Sequence, residues 1–173
     1  IVMNPQNGAI IALVSFPRYD NNVFTSNTID QSVFEELFND KNRPLFNRAI
    51  SGAYPPGSTF KLVVGSAALE EKIADERFTV FSKGGIQAGQ WFFPDWQSGG
   101  HGITDMRKAI SWSVNTYFYT IGGGFESKEG LGVERIDKYA YLFNIGKKTG
   151  IDLPEEATGL VPTKEWKKNT KNE

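Results

Sequence analysis

The chain has 173 residues, enough for one domain with its own hydrophobic core. Its formal net charge of −1 gives no electrostatic basis for binding nucleic acid or an anionic membrane surface. The absence of cysteine excludes a disulfide framework and a thiolate metal site, and the single histidine, His101, cannot build an imidazole cluster.

Ile1–Met3 and Ala9–Val14 read as two β-prone runs. Asn4-Pro5-Gln6-Asn7-Gly8 between them is rich in turn formers, so a hairpin is expected. The second run is almost continuously apolar, the pattern of a strand covered on both faces. A start at Ile1, inside the first strand, leads us to expect further sequence upstream, and no apolar run approaches the roughly 20 residues that span a bilayer. From Ser15 to Arg48 the pattern is polar, aromatic and irregular, with a short helix expected near Val33–Phe38.

Tyr54-Pro55-Pro56-Gly57 cannot continue a helix, whereas Ser58 is a favoured helix cap. The residues after it, through Leu69, are apolar almost all round, which predicts a buried helix opening at Ser58. Phe78–Trp96 reads as a loop-rich β region; Trp91, Phe92, Phe93 and Trp96 could line a peptide groove, but core or subdomain packing is expected for most of them. Thr104-Asp105 caps a helix through Met106, Ala109 and Ile110. A second short apolar stretch runs from Tyr117 to Ile121 and is ended by Gly122-Gly123-Gly124. Val133–Phe143 has a helical period, with Gly146 as its stop, and the charged tail from Lys164 to Lys171 reads as a solvated end. Strands followed by helices, without regular βαβ alternation, indicate an α+β fold.

Two groups of residues carry chemistry. Ser58 and Lys61, three apart on a helix, lie on one face. A serine hydroxyl is a weak nucleophile until a base takes its proton. A lysine in so apolar a segment is partly desolvated, which lowers its pKa and suits it to that task. Backbone amides at the helix start can receive an oxyanion. The plain alternative is a capping serine and a lysine that snorkels to solvent. Ser113-Val114-Asn115 adds a hydroxyl and an amide flanking an apolar anchor, although a polar turn between helices would look the same. The two groups, in this order and at this distance, argue for chemistry together.

Together they resemble the penicillin-binding proteins and serine β-lactamases, whose signature is Ser-x-x-Lys, Ser-Asp-Asn and Lys-Thr-Gly. Ser-Val-Asn departs at its middle position. Asn47-Arg48-Ala49, Gly100-His101-Gly102, Thr149-Gly150-Ile151-Asp152-Leu153-Pro154 and Val161-Pro162-Thr163 are similar to the class B subgroup, particularly the elongation-type penicillin-binding protein 2. The resemblance runs from Ile1 to about Lys168. It implies a penicillin-binding, β-lactamase-like transpeptidase fold, an antiparallel sheet packed with helices. It implies Ser58 as the acylated nucleophile, Lys61 as its base, Ser113 as proton shuttle and Asn115 as the residue that positions Lys61 and the donor peptide. The implied partners are peptidoglycan stem peptides ending in D-Ala-D-Ala, β-lactams that acylate the same serine, and glycosyltransferase or elongation-complex proteins. No metal or cofactor is implied, and the implied location is the extracytoplasmic face of the bacterial plasma membrane.

Lys148-Thr149-Gly150 spells the third motif but is not read as catalytic. In the family that triad lies on a cleft strand farther downstream, whereas here it adjoins Ile151-Asp152-Leu153-Pro154, a different family stretch. Residues 1–173 are therefore expected to form the N-terminal part of one transpeptidase domain, lacking the cleft strands, with an open sheet edge and impaired activity. A serine β-lactamase, a penicillin-recognising sensor and a non-catalytic scaffold are the competing readings. His101, on a glycine-rich loop, is assigned a structural or substrate-edge role.

Overall fold

The computed structural model describes residues 1–25 and 30–171, which fall into two compact units. The first comprises Ile1–Tyr54 and Lys148–Thr158. The second comprises Pro55–Lys147 and the segment from Gly159 onward.

In the first unit, β1 (Val2–Met3) and β2 (Ile10–Ala12) pair antiparallel, with Met3 opposite Ile10. The turn closes through the Gly8 N–H to the Asn4 carbonyl, with Gly8 at a φ of +75°. Both faces of β2 are exposed, with Ile11 70% accessible, so the expected double coverage is not observed. A continuous apolar run reports only that a strand is apolar; it does not supply the layers that would cover it. Helix α1 (Gln31–Asn39) begins at Asp30, whose carboxylate accepts from the Ser32 N–H. The expected short helix lies within it, and residues 26–29 of the preceding excursion lie outside the described residues. Arg48 staples the loop before it by donating to the carbonyls of Asn42 and Arg43, while its own N–H donates to Ser15. The returning segment is held by Ala157, which donates to the carbonyl of Ile50, and by Ser51, which donates to that of Glu155.

The second unit is built around α4 (Asn115–Gly123), which is packed by α2 (Lys61–Glu70) and α5 (Gly132–Leu142). Val63, Val64, Ala67 and Ala68 of α2 meet Tyr117, Phe118 and Ile121 of α4 in one core, joined by Met106 and Ala109 of α3 (Met106–Ser111). Gly65 of α2 also lies against Met106 and Phe118, where an added Cβ would find ordinary van der Waals contact. The strands are β3 (Val80–Ser82) paired antiparallel with β6 (Gly102–Thr104), and the hairpin β4 (Gly85–Ala88) with β5 (Trp91–Pro94). The expected antiparallel sheet is thus present as separate two-stranded pairs. The charged tail forms α6 (Lys164–Lys171), whose amide at Trp166 donates to the Thr163 hydroxyl.

Three helices of this unit end alike. The Ile73, Val114 and Ile145 amides reach back to Ala68, Ala109 and Ala140, with Lys72, Ser113 and Asn144 in the left-handed region. Asn144, rather than Gly146, therefore ends α5, because asparagine tolerates that conformation and the apolar Ile145 seals the cap. Trp91, Phe92, Phe93 and Trp96 are all exposed, contrary to the expected core packing. They lie on and beside a two-stranded hairpin, and such a hairpin cannot bury both faces.

Candidate active site

Ser58 sits in a single 3-10 turn, Gly57–Phe60, that leads into α2. Gly57 at a φ of +56° lets the chain leave Pro55-Pro56 and enter the turn. The expected capping role for Ser58 is not observed: neither the turn nor α2 has a side-chain cap. The Ser58 carbonyl accepts from the Lys61 N–H, and its exposed hydroxyl accepts from Ser113 at 2.9 Å. A hydroxyl engaged this way is not committed to its own backbone.

Lys61 is the first residue of α2, and its ammonium has three acceptors around it. They are the Ser113 carbonyl at 2.7 Å, the Ser113 hydroxyl at 2.9 Å and the Asn115 amide oxygen at 2.6 Å. Three acceptors match the three donors of an ammonium. The Nζ also lies 5.4 Å from the centre of the Phe118 ring. Burial pushes the Lys61 pKa below its ordinary value, and the Asp95 carboxylate opposes that shift without cancelling it.

Ser113 owes its position to the end of α3. Its amide donates to the Ile110 carbonyl, and the next amide, of Val114, donates to Ala109. Val114 is fully buried and anchors the turn in the core. Ser113 is left at a φ of +53°, its hydroxyl in contact with both Lys61 and Ser58. Asn115 opens α4, with its amide oxygen on Lys61 and its amide nitrogen donating to the Pro94 carbonyl at 3.1 Å.

The structure thus brings Ser58, Lys61, Ser113 and Asn115 into one hydrogen-bonded group. Their connection is serial: Lys61 meets the Ser113 hydroxyl, and that hydroxyl meets Ser58. Because hydroxyl protons rotate, the same chain can carry a proton from Ser58 toward a neutral Lys61.

Other expected features fall elsewhere. Lys148-Thr149-Gly150 belongs to the first unit and lies on a loop. There the Thr149 N–H and hydroxyl both donate to the Glu156 carboxylate at 2.7 Å. His101 is buried between Trp96 and Trp112, with ring centres 5.1 and 5.9 Å away, and its ring nitrogens have no partner among the described residues. Its backbone does the bonding, donating to Ser82 and accepting from Lys108. Sequence reading missed Asp95 and Pro94. A lone acid between proline and tryptophan carries no motif, and only its distance in space from the Ser113 turn makes it relevant.

The family described as "Penicillin binding protein transpeptidase domain" matches residues 1–173. The chain belongs to this family. The peptidoglycan D,D-transpeptidase MrdA of Haemophilus influenzae is 37% identical over 174 residues, covering 96% of the chain and 25% of the relative. Penicillin-binding protein 2 of Pseudomonas aeruginosa, solved in complex with WCK 5153, superposes with a TM-score of 0.88 at 34% identity, over 99% of the chain and 36% of that structure. Penicillin-binding protein 2 of Helicobacter pylori, solved in complex with MreC, gives 0.88 at 36% identity, over 99% and 31% respectively. The chain spans about a quarter of the length of the curated relatives it matches. The α+β fold is that of the penicillin-binding protein transpeptidase domains, and its helices and two-stranded antiparallel pairs account for the expected class.

Proposed function

We propose that the chain forms the acylation site of a peptidoglycan D,D-transpeptidase, with Ser58 as nucleophile, Lys61 as base, Ser113 as shuttle and Asn115 as orienting group. The observation that carries this reading is the path from Lys61 through the Ser113 hydroxyl to Ser58, with both steps at 2.9 Å. Ser58 Oγ attacks the penultimate D-alanine carbonyl of a stem peptide while its proton passes through Ser113 to neutral Lys61. The C–N bond breaks, D-alanine leaves with that proton, and the acyl group remains on Ser58. An amine of a neighbouring stem then attacks the ester, gives up a proton to the same path, and Ser58 regains its own. Asn115 holds Lys61 through its amide oxygen throughout.

A strained β-lactam amide would enter the same first step and stay on Ser58. Location and partners follow from the substrate and from the relatives: the outer face of the bacterial plasma membrane, beside glycosyltransferase and elongation-complex proteins. A complex with MreC among the neighbours supports the second point. Among the described residues no helix is long and apolar enough to cross a membrane.

Intact-mass spectrometry after incubation with a fluorescent penicillin tests the proposal. One adduct on Ser58, absent from Ser58→Ala, is the expected result. A folded sample without an adduct would mean that these four side chains do not suffice for acylation. Rapid release of hydrolysed penicillin would turn the reading toward a β-lactamase.

A further inference from the structure

We infer that Asp95 is a positioning residue: its carboxylate closes the start of α4 and thereby fixes the Ser113–Asn115 turn on which Lys61 and Ser58 depend. Three consecutive residues grip that turn from outside. The Pro94 carbonyl accepts from the Asn115 side-chain amide at 3.1 Å. One Asp95 oxygen accepts from the Thr116 N–H at 2.9 Å, and the other accepts from the Thr116 hydroxyl at 2.5 Å. Trp96 Nε1 donates to the Trp112 carbonyl at 2.8 Å. The segment is therefore clasped on both sides of Ser113, by residues that follow directly on one another in the chain.

The need for such a clasp is local. The first amides of a helix require acceptors, and Val114, at the cap position of α4, has no side-chain acceptor to offer. A carboxylate delivered from 21 residues away supplies one and complements the positive end of the helix. Asp95 is only 8% exposed, and a buried carboxylate is costly unless its lone pairs are used. They are: the Ser82 hydroxyl adds a further bond at 2.7 Å, and the Ser82 oxygen in turn accepts from the His101 N–H at 2.9 Å. Burial pushes the Asp95 carboxyl up, but the bonds from Thr116, Ser82 and the backbone of Asn115 outweigh it and hold the group below its ordinary value. It is an anion at neutral pH. The groups in contact with Lys61 are Ser113 and Asn115 from the turn and Phe118 from α4, none of them charged, and the Asp95 carboxylate acts on it through its field. Its field favours the lysine's protonated form and so opposes part of the larger downward push of burial.

The inference deepens the transpeptidase reading and rests on it for its effect on rate, so the test separates the two. In the whole chain, Asp95→Asn keeps the shape but loses the charge and the oxygen that accepts from both the Thr116 and Ser82 hydroxyls. Amide hydrogen exchange at Thr116 should speed up at least tenfold, and the Lys61 side-chain midpoint, read by NMR on labelled lysine, should move to lower pH. Acylation by fluorescent penicillin at neutral pH should slow by about tenfold. Unchanged exchange and an unchanged Lys61 midpoint in a folded Asp95→Asn sample would overturn the inference. If Asp95→Asn does not fold, Thr116→Val removes one contact and leaves the charge; several-fold faster exchange at the Asn115 amide supports the clasp, and no change overturns it. A wild-type chain that is not acylated counts against the transpeptidase reading alone, because exchange and the Lys61 titration decide the role of Asp95 without it.

Discussion

The amide of Val114 donates to the carbonyl of Ala109 at 2.9 Å, and with that bond α3 closes and Ser113 is left in the left-handed region. A helix cap thus aims the hydroxyl that joins Lys61 to Ser58. The buried Val114 side chain holds the cap down, so the middle residue of Ser-Val-Asn does structural work while its neighbours face the site.

Substitutions at Ser113 should separate the turn from the chemistry. Both Ser113→Gly and Ser113→Ala lose the hydroxyl, and acylation should fall by about 10²- to 10⁴-fold in each. Glycine accepts a φ of +53° without strain, whereas alanine does not. In urea denaturation the glycine variant should be more stable than the alanine variant by about 0.5–1 kcal/mol, after allowance for the chain entropy of glycine. Equal stabilities would show that the positive φ is not retained in solution.

The rate of penicillin acylation should rise with pH along a limb centred below the ordinary lysine value. Neutral Lys61 is the proton acceptor, and burial lowers its pKa, so the neutral form appears at lower pH than for a free lysine. The same shift fixes a sign for stability. The folded chain binds fewer protons than the unfolded one between the two pKa values, so stability from this group rises with pH across that window. A limb centred at or above about 10.4 would remove Lys61 from the role of base.

Tyr117 is fully buried, and its hydroxyl has no partner among the described residues. Burial, with smaller contributions from Asp105 and Asp75, pushes its pKa up to about 12. Tyr117→Phe removes that unsatisfied group and keeps the ring against Phe78 and Phe118. Stability should be unchanged or higher by up to about 1 kcal/mol in chemical denaturation. A clear loss would reveal a bound water satisfying the hydroxyl.

Gly100 and Gly102 both have positive φ, yet they should respond differently to alanine. A Cβ at Gly100 would collide with the backbone of Gly84 and Ser82, whereas at Gly102 the space is open. Gly100→Ala should cost about 3 kcal/mol or more, and Gly102→Ala about 1 kcal/mol from strain alone. Equal losses would mean that the loop can move aside, and would leave the glycine before His101 without its packing reason.

The sequence by itself determined the local elements and the composition of the site. Pro55-Pro56-Gly57 and the apolar run after Ser58 specify where α2 begins; Asp105 specifies α3, and the Gly122–Gly124 run specifies the end of α4. These signals act over one helical turn, so they are readable without knowing the fold, and they already set Ser58 beside Lys61 and Ser113 beside Asn115. What the Ser58 hydroxyl does was decided elsewhere: local propensity favours a cap, but its partner is Ser113, 55 residues away. Asp95 is the sharper case. Its side chain closes a helix 21 residues distant, a job that no local pattern announces. The exposure of β2 and of the aromatic hairpin was likewise invisible, because hydropathy records what a side chain prefers and only the arrangement of layers decides what covers it. Contacts within a turn follow from residue type and spacing; contacts across the fold depend on which surfaces the chain brings together, and that requires the tertiary structure.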